Sequence, residues 1–317
     1  MRVYRHFDAI AAEHRGGAIA IGNFDGVHLG HQMVIDTAGK AARAGAIPWG
    51  VLTFEPHPRM FFDKNAPPFR LTPFHIKLRQ IEALGVEFLV VLHFDQKLAR
   101  MEAEEFVERV LVGGFAARHI VSGHDFVFGH NRLGTAGYLA DRGVEMDFET
   151  ESIAEVRGDG GEIISSTRIR QYLFDADPAA AARLLGHPYE IEGRVAHGDR
   201  RGRQIGFPTA NIALDDNVRP ALGVYAIRAG IDAGADTDWY DGVANLGYRP
   251  TFGGEQPVLE AHLFDFDQDI YGKHLRVGLI DFLRAERKFD GVEALKAQIG
   301  KDCKEAGLRL AAGNWQT

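Results

Sequence analysis

This sequence has almost no cysteine, no long apolar run and no excess of positive charge. Its one cysteine, Cys303, excludes an internal disulfide and a thiolate metal site, and is typical of a reducing compartment. No apolar run approaches the ~18 residues of a membrane span, and the amino terminus has no signal-peptide core. The net charge of −8 argues against a surface that binds a nucleic-acid backbone. We therefore expect a cytoplasmic protein with neither a membrane nor a nucleic-acid partner.

The length of the chain predicts two domains. With 317 residues it exceeds the ~250–300 residues at which one hydrophobic core stops growing. Hydrophobic residues at 45% and charged residues at 25% are ordinary globular usage, which excludes a disordered or fibrous chain. The pattern changes after an alanine-rich helix that ends at Gly186, so the predicted domains are 1–186 and 187–317.

The first domain alternates strand-like and helix-like segments, a pattern that favours a Rossmann-like parallel sheet. A helix at 73–84 has Thr72 as its predicted N-cap. The predicted strands are 18–21, 47–54, 88–92, 119–122, 144–148 and 152–156, and the other helices are 32–43, 103–112 and a segment from 167 to 174.

The second domain has short alternating segments separated by turns, which predict an antiparallel barrel or sandwich. A helix at 292–310 closes the chain. The predicted strands are 189–196, 223–229, 241–245, 258–264 and 275–282.

The first candidate site is the run GNFDGVHLGH, from Gly22 to His31, between the first strand and the first helix. Glycines there allow a close approach of backbone to ligand, and the helix terminus attracts phosphate. His28 and His31 are three residues apart, so both can face one phosphorus centre and stabilise its developing charge. A lone histidine at this place would favour a structural role, but the pair in a glycine-rich turn favours phosphate chemistry.

This run resembles the HxGH signature of the nucleotidylyltransferases, and ISSTRIR at 164–170 resembles their ISSTxxR motif, which closes over the triphosphate. Without the first motif, the second would indicate only a helix start with solvated arginines. The resemblance implies a set of ATP-binding residues, with the two histidines catalytic: Gly22, Asn23, Phe24, Asp25, His28, His31, Ser165, Thr167 and Arg168.

Two further loops, TFEPHP at 53–58 and DFVFG at 125–129, resemble the FMN-adenylylating domain of the prokaryotic bifunctional riboflavin kinase/FAD synthetase family. Prolines and aromatics suit a flat ligand, although each loop could equally be a packed one. Val127 departs from the family, where a polar or arginine side chain is expected. The implied FMN-binding residues are Phe54, Pro56, His57, Pro58, Phe62, Asp125 and Phe128.

The second candidate site is GDRRGRQIGFPTAN at 198–211, which resembles the flavokinase signature with its PTAN core. Taken alone, Arg200, Arg201 and Arg203 would fit a solvated turn or a weak nucleic-acid patch. Oxygens of Thr209 and Asn211 suit Mg²⁺. The implied ATP-binding residues are Gly198, Arg201, Gly206, Thr209 and Asn211, the last two also as metal ligands.

Other segments follow in the order of that family: PALGVY at 220–225, ANLG at 244–247, PTF at 250–252 and LEAH at 259–262. In the family, the residue at the position of Glu260 takes the proton of the riboflavin 5′-hydroxyl. His262 shares its strand face and either orients Glu260 or packs. Arg284 and Glu286 fall in a flavin-covering segment, so the implied flavin-binding residues of the kinase are Glu260, Arg284 and Glu286.

The resemblance implies a bifunctional transferase that phosphorylates riboflavin to FMN in its carboxyl-terminal domain and adenylylates FMN to FAD in its amino-terminal domain. Both reactions use ATP and require Mg²⁺. The partners are these small molecules, and a homo-oligomer is left open. The rival hypotheses are a flavin or nucleotide sensor without turnover and a nucleic-acid-binding barrel.

Overall fold

The computed structural model of the chain describes residues 1–197, 202, 205–248 and 257–313, and it divides into two compact units. The first unit comprises Met1–Pro67 and Thr72–Ser165, and the second comprises Pro68–Leu71 and Ser166–Thr317.

The first unit is built on a six-stranded sheet in the order β1-β4-β3-β2-β5-β8, with every neighbouring pair parallel. The strands of this unit are β1 (Arg2–Tyr4), β2 (Ala18–Ile21), β3 (Trp49–Glu55), β4 (Phe88–His93), β5 (His119–Gly123), β6 (Val127–Phe128), β7 (Gly134–Thr135) and β8 (Glu149–Ile153). The helices are α1 (Leu29–Gly45), α2 (Pro58–Phe62), α3 (Phe74–Ala83), α4 (Gln96–Ala99), α5 (Ala103–Glu105), which continues as a π-helix (Phe106–Gly114), and α6 (Ala136–Met146).

Both faces of the central part of this sheet are buried. Ile19 and Ile21 of β2 enter one core cluster, while Ala18 and Ala20 enter the cluster on the opposite face, which contains Ile35 of α1. A central parallel strand covered on both faces is uniformly apolar, which explains the sequence Ala-Ile-Ala-Ile. The carboxyl end of β2 is therefore held rigidly where the chain turns into α1.

Two predictions for the first unit are wrong. Thr72 does not cap α3, because Pro73 occupies the N-cap position and the Thr72 side chain bonds elsewhere. The predicted strand at 144–148 is the last turn of α6 and the residues after it. Thr135 caps that helix, and Asp147 ends it with a left-handed φ of 60°. Val144, whose apolar character suggested a strand, is 89% exposed on the helix.

The second unit holds an antiparallel sheet of six described strands in the order β10-β13-β12-β11-β14-β9. The Ala196 N–H donates to the Asn211 carbonyl at 2.9 Å, and this bridge joins the two edges into a nearly closed barrel. The strands are β9 (Tyr189–Arg194), β10 (Ala210–Ala213), β11 (Gly223–Ile231), β12 (Trp239–Tyr248), β13 (Pro257–Leu263) and β14 (His274–Ala285). The helices are α7 (Ser166–Phe174), α8 (Pro178–Leu185) and α9 (Val292–Ala312).

Helix α9 covers the outer face of this barrel. Ala306 and Leu310 pack in one cluster with Val224, Val243 and Ile280. The prediction of a closing helix is thus confirmed. Of the two predicted architectures, barrel or sandwich, the second unit adopts the barrel. Among the helices within the described ranges, none has the length and apolarity to cross a membrane.

The compact units divide between Ser165 and Ser166, earlier than the predicted domain boundary between Gly186 and His187. Helix α8 packs against β9 and β14, so it belongs physically to the barrel unit. Gly186 ends α8 as predicted, with a φ of 83° and its N–H on the Ala182 carbonyl at 2.8 Å. The helix boundary and the limit of the compact unit are therefore different features.

Candidate active sites

The turn after β2 brings its two histidines together. His28 is the N-cap of α1, and its Nδ1 accepts the His31 N–H at 3.2 Å. The two rings stack with their centroids 3.6 Å apart. Because Nδ1 of His28 is an acceptor, a neutral His28 carries its proton on Nε2. A Cβ on Gly30 would lie 3.2 Å from the His28 ring, so the stacked arrangement requires little bulk at that position.

Buried polar contacts hold this turn in a strained conformation. Phe24 and Val27 have φ values of 48° and 39°, which are costly for residues with side chains of this bulk. Thr72 secures the turn twice, because its Oγ1 accepts the Gly26 N–H at 2.8 Å and its own N–H donates to Asp25 Oδ1 at 3.1 Å. Asp25 is only 3% exposed, so its carboxylate shapes the turn from inside.

Lys77 is a site residue that the sequence analysis missed. Its Nζ donates to the Asn23 carbonyl and to Glu55 Oε1, both at 2.9 Å, and the residue is fully buried. Thr53 Oγ1 also donates to the Asn23 carbonyl, at 3.2 Å. One available signal was a lysine directly after Ile76, on the apolar face of an otherwise amphipathic helix.

The predicted FMN-binding aromatics form a connected group around a residue not predicted, Phe94. The ring of Phe94 lies 6.2 Å from Phe54, 5.5 Å from Phe61 and 5.7 Å from Phe62. Phe62 is 70% exposed, so this group presents an aromatic surface to solvent.

The second predicted loop joins the same group from the core side. Phe128 stacks with Phe126 at 5.6 Å and contacts Phe106 at 5.1 Å, and Phe106 lies 6.4 Å from Phe54. Asp125 is exposed, whereas Val127 pairs with Thr135 in the β6–β7 ribbon.

The loop between β3 and α2 contains Pro56, His57 and Pro58. The Glu55–Pro56 peptide is cis. His57 caps α2, with its Nδ1 accepting the Arg59 N–H at 3.1 Å. The structure therefore brings Phe54 and the α2 cap to the carboxyl end of β3, beside the turn that follows β2.

The ISSTRIR motif spans the limit between the units. Ser165 ends the first unit, while Thr167 and Arg168 lie on the exposed first turn of α7 in the second. The Arg168 guanidinium lies 4.4 Å from the Tyr172 ring centre and donates to its hydroxyl at 3.1 Å. The role of these residues toward ATP stays a prediction.

In the barrel, strand register aligns the predicted kinase residues. Glu260 of β13 is opposite Asn211 of β10 on one side and Asn245 of β12 on the other. Side chains directly opposite on neighbouring strands are about 5 Å apart at Cβ and share one face. Asn245 Nδ2 donates to Glu286 Oε1 at 3.0 Å, which adds Glu286 to this row. Asn245 lay within a matched segment but was not among the predicted site residues.

Gly247 lets Glu286 reach that position. A Cβ on Gly247 would lie 2.1 Å from the Glu286 carboxylate, so any side chain would displace it. Arg284 does not join the row as Glu286 does. It forms a bidentate salt bridge with Asp302 of α9, in which Nε and Nη2 donate to the carboxylate at 2.9 Å and 2.7 Å. The guanidinium therefore anchors α9 to the end of β14.

The loop before β10 is described only in part. Gly198 and Arg201 of the predicted ATP-binding set, together with Arg200, Arg203 and the segment 250–252, lie outside the described residues. Gly206 has a φ of 88°, and Thr209 directly precedes β10. His262 Nδ1 donates to the Pro208 carbonyl at 2.8 Å, so its ring supports the PTAN segment.

Comparisons with known proteins agree with both halves of this architecture. The family model described as FAD synthetase matches residues 10–168, and that described as riboflavin kinase matches residues 185–310. The bifunctional riboflavin kinase/FMN adenylyltransferase of Escherichia coli (strain K12) is 40% identical and covers 92% of each chain. The protein of the same name from Bacillus subtilis (strain 168) is 40% identical, covering 94% of this chain and 93% of its own.

Among solved structures, a protein of Streptococcus pneumoniae described as a macrolide-efflux protein superposes with a TM-score of 0.84. It is 34% identical and covers 99% of both chains. The likeness supports the fold of the whole chain, whereas the efflux description belongs to that protein.

A parallel-sheet nucleotidyltransferase unit followed by a flavokinase barrel defines a two-activity transferase of flavin biosynthesis. The chain belongs to the bifunctional riboflavin kinase/FMN adenylyltransferase family. Its amino-terminal part forms FAD from FMN and ATP with release of pyrophosphate, and its carboxyl-terminal part forms FMN from riboflavin and ATP.

Proposed function

We propose that the turn from Gly22 to His31 binds ATP and that His28 and His31 stabilise the transferring α-phosphoryl group. The single observation that supports this role best is the stacked histidine pair at the start of α1, in which His28 Nδ1 accepts the His31 N–H and leaves Nε2 as the nitrogen available to donate. A ring N–H directed at a phosphoryl oxygen strengthens as that oxygen gains charge. No covalent nucleophile is needed, because the FMN phosphate itself attacks the α-phosphorus. Gly22, Asn23, Phe24 and Asp25 shape the turn. For Ser165, Thr167 and Arg168, the proposal of an ATP contact is supported by their match to the ISSTxxR motif.

For FMN, the proposed contacts are the aromatic surface around Phe94 and the loop that follows β3. Phe62 offers an exposed ring face to the flavin, and the buried Phe54 and Phe128 fix the walls behind it. The remaining members of the proposed set are Pro56, His57, Pro58 and Asp125.

For the kinase, we assign Glu260 as the base that accepts the proton of the riboflavin 5′-hydroxyl as the γ-phosphoryl group is transferred. The strand register supports this assignment, because Glu260 lies between Asn211 and Asn245 on one face. Glu286, whose Oε1 accepts a hydrogen bond from Asn245 of the same row, is proposed to contact riboflavin. Arg284 is also proposed to contact the flavin, with its guanidinium oriented by the pair that it forms with Asp302 of α9.

Mg²⁺ fits the residues beside this row. Thr209 and Asn211 supply hydroxyl and amide oxygens, the hard donors that Mg²⁺ prefers. A Cβ on Gly202 would lie 2.4 Å from the Phe207 carbonyl oxygen and 3.4 Å from Thr209 Oγ1, so a glycine keeps the space beside that hydroxyl open. When bound, Mg²⁺ would neutralise phosphate charge, and Gly198, Gly206 and Arg201 would complete the ATP loop. We expect both reactions to require it.

One incubation tests the proposal. Purified protein with riboflavin, ATP and Mg²⁺ should give FMN and then FAD, separated by chromatography, and chelation of Mg²⁺ should stop both reactions. Binding of riboflavin, FMN or ATP without turnover by folded protein would favour the sensor, and steep salt-dependent binding of RNA would favour the nucleic-acid-binding barrel. The proposed compartment is the cytosol, where ATP is available and Cys303 stays reduced.

Two fragments test the proposed division of the activities at 186/187. Both 166–317 and 187–317 should phosphorylate riboflavin and make no FAD. The longer fragment should be the more stable, because α8 buries Ala181, Leu184 and Leu185 in the second unit. A folded 187–317 fragment without kinase activity would move the functional boundary to Ser166.

A further inference from the structure

Among the residues that the structure describes, Lys77 is the only buried lysine, and two of its hydrogen bonds reach beyond its own helix. Its side chain is 1% exposed, and the paired Glu55 side chain is 13% exposed. Its Nζ bonds the Asn23 carbonyl and Glu55 Oε1 at equal distances of 2.9 Å. A buried ammonium is costly unless charge and hydrogen bonds compensate it, so this group is fixed by those partners.

The two partners belong to the two loops that hold different substrates in the proposed adenylylation. Asn23 lies in the ATP turn, immediately before the strained Phe24. Glu55 ends β3 and immediately precedes Pro56 and His57 of the FMN loop. One ammonium therefore fixes the distance between two loops that follow neighbouring strands.

The contacts indicate positioning rather than attraction of phosphate. The Glu55 carboxylate compensates the charge of Lys77 inside the protein, which weakens the field that the ammonium exerts on a bound nucleotide. Its bond to a backbone carbonyl, shared with Thr53, restrains the turn directly. A displacement of about 1 Å between reacting groups can reduce turnover ~10²-fold.

We propose that Lys77 is a positioning residue for adenylyl transfer, which couples the ATP turn to the FMN loop by bonding Asn23 and Glu55 at once. This inference rests on the proposed function of the first unit. It predicts that occupancy of one loop improves binding at the other, and that this coupling is lost without Lys77.

The test is a matrix of initial rates of FAD formation, with FMN supplied and both FMN and ATP varied. Supplied FMN bypasses the kinase, so the readout is specific to the first unit. Lys77→Met keeps roughly the length of the side chain and removes the bonds to Asn23 and Glu55. We expect kcat to fall about 10- to 100-fold, and the KM for FMN to become independent of ATP concentration. Because this variant removes the ammonium that compensates the Glu55 carboxylate, the double variant Lys77→Met/Glu55→Gln is measured beside it.

Ile76→Val is the matched control, since Ile76 is buried on the same helix and has no polar side-chain atom with which to bond either loop partner. It should lower the unfolding temperature while leaving kcat and the ATP dependence of the FMN KM unchanged. The double variant should be more stable than Lys77→Met, but its KM for FMN should still be independent of ATP concentration.

The outcomes separate the inference from the proposed function. The inference is overturned if the wild type makes FAD and either Lys77 variant has the wild-type kcat and the wild-type ATP dependence of the KM for FMN. Lys77 would then only fill the core. An altered KM for ATP alone would also overturn it, because the FMN loop would then be independent. Absence of FAD from the folded wild type would instead contradict the adenylylation itself and remove the basis of the inference.

Discussion

The ATP turn of the first unit and the Glu260 row of the barrel are held by different means. The turn has left-handed residues and depends on Thr72 and Lys77, which lie far along the chain. The row consists of residues on adjacent strands whose positions are set by sheet register. A single lost hydrogen bond can therefore shift the turn, whereas the row retains its backbone placement when a side chain is changed.

Because of this difference, substitutions should affect the backbone differently in the two sites. Side chains of the barrel row can be exchanged for near-isosteres with the strands unchanged. Changes around the turn reach the reacting groups through the backbone, because its strain persists only while its anchors hold it. The predictions below address these two behaviours.

The largest effect is expected at the histidine pair. Replacing His28 and His31 together with alanine removes donors to the transferring phosphate, so FAD formation should fall at least 10²- to 10³-fold. FMN formation should stay near normal, which chromatography of both products measures. His6→Ala, at an exposed histidine of the same unit, is the control. A folded double variant within a few-fold of the wild type would make the pair structural.

Next in size is Glu260→Gln, which retains shape but cannot accept a proton. Kinase turnover should fall ~10²-fold or more, while supplied FMN is still converted to FAD. Because the row is set by register, the barrel should unfold at its usual temperature. Glu293→Gln, on an exposed glutamate of α9, should change neither activity. FMN formation at the parental rate with saturating riboflavin would remove Glu260 from the mechanism and make Asp241 or a metal-bound water the next base to test.

A smaller effect is expected when the turn loses one anchor. Thr72→Val keeps the volume but leaves the buried Gly26 N–H without its acceptor, a cost of about 1–3 kcal/mol. Denaturant unfolding followed at Trp49 should show the loss in the first unit, together with reduced FAD formation and unchanged kinase activity. Ser152→Ala, at an exposed residue, serves as the control. Equal stability of Thr72→Val and wild type would show that the turn does not depend on this anchor.

The smallest effect is expected for the reactivity of Cys303, which reports how α9 packs on the barrel. Burial and the neighbouring Asp302 raise the pKa of Cys303 to about 11, because both disfavour the thiolate. Alkylation by iodoacetamide at pH 8 should therefore be slower in the folded protein than in urea, and should accelerate as the pH approaches about 11. Since the folded state disfavours the thiolate, stability should decline as the pH rises above the unfolded value of 9.0. Equal folded and unfolded alkylation rates, read by mass spectrometry, would indicate that α9 does not shield this thiol.

Much of the fold could be predicted from periodicity and turn residues. The strands around Ile19, Val90 and Ile120 and the closing helix that contains Ala306 were recognisable, because their burial imposes a local pattern. The segment 144–148 was mistaken for a strand, since a short apolar run does not distinguish a strand from the end of a helix. Strands β1 and β10 were missed because segments of three or four residues carry little periodicity, and neither is a uniformly apolar run like β2.

For the candidate sites, the sequence by itself determined the residue types and their order, because HxGH and PTAN chemistry requires particular groups at fixed local spacing. Tertiary structure alone decided which residues contact them. Thr72 bonds the Gly26 N–H, Lys77 bonds the Asn23 carbonyl, and the Phe94 ring packs against Phe54. It also decided that Arg284 bonds Asp302 while Glu286 joins Asn245. The physical reason is that such contacts join segments far apart in the chain, and a local pattern carries no information on which distant segments meet.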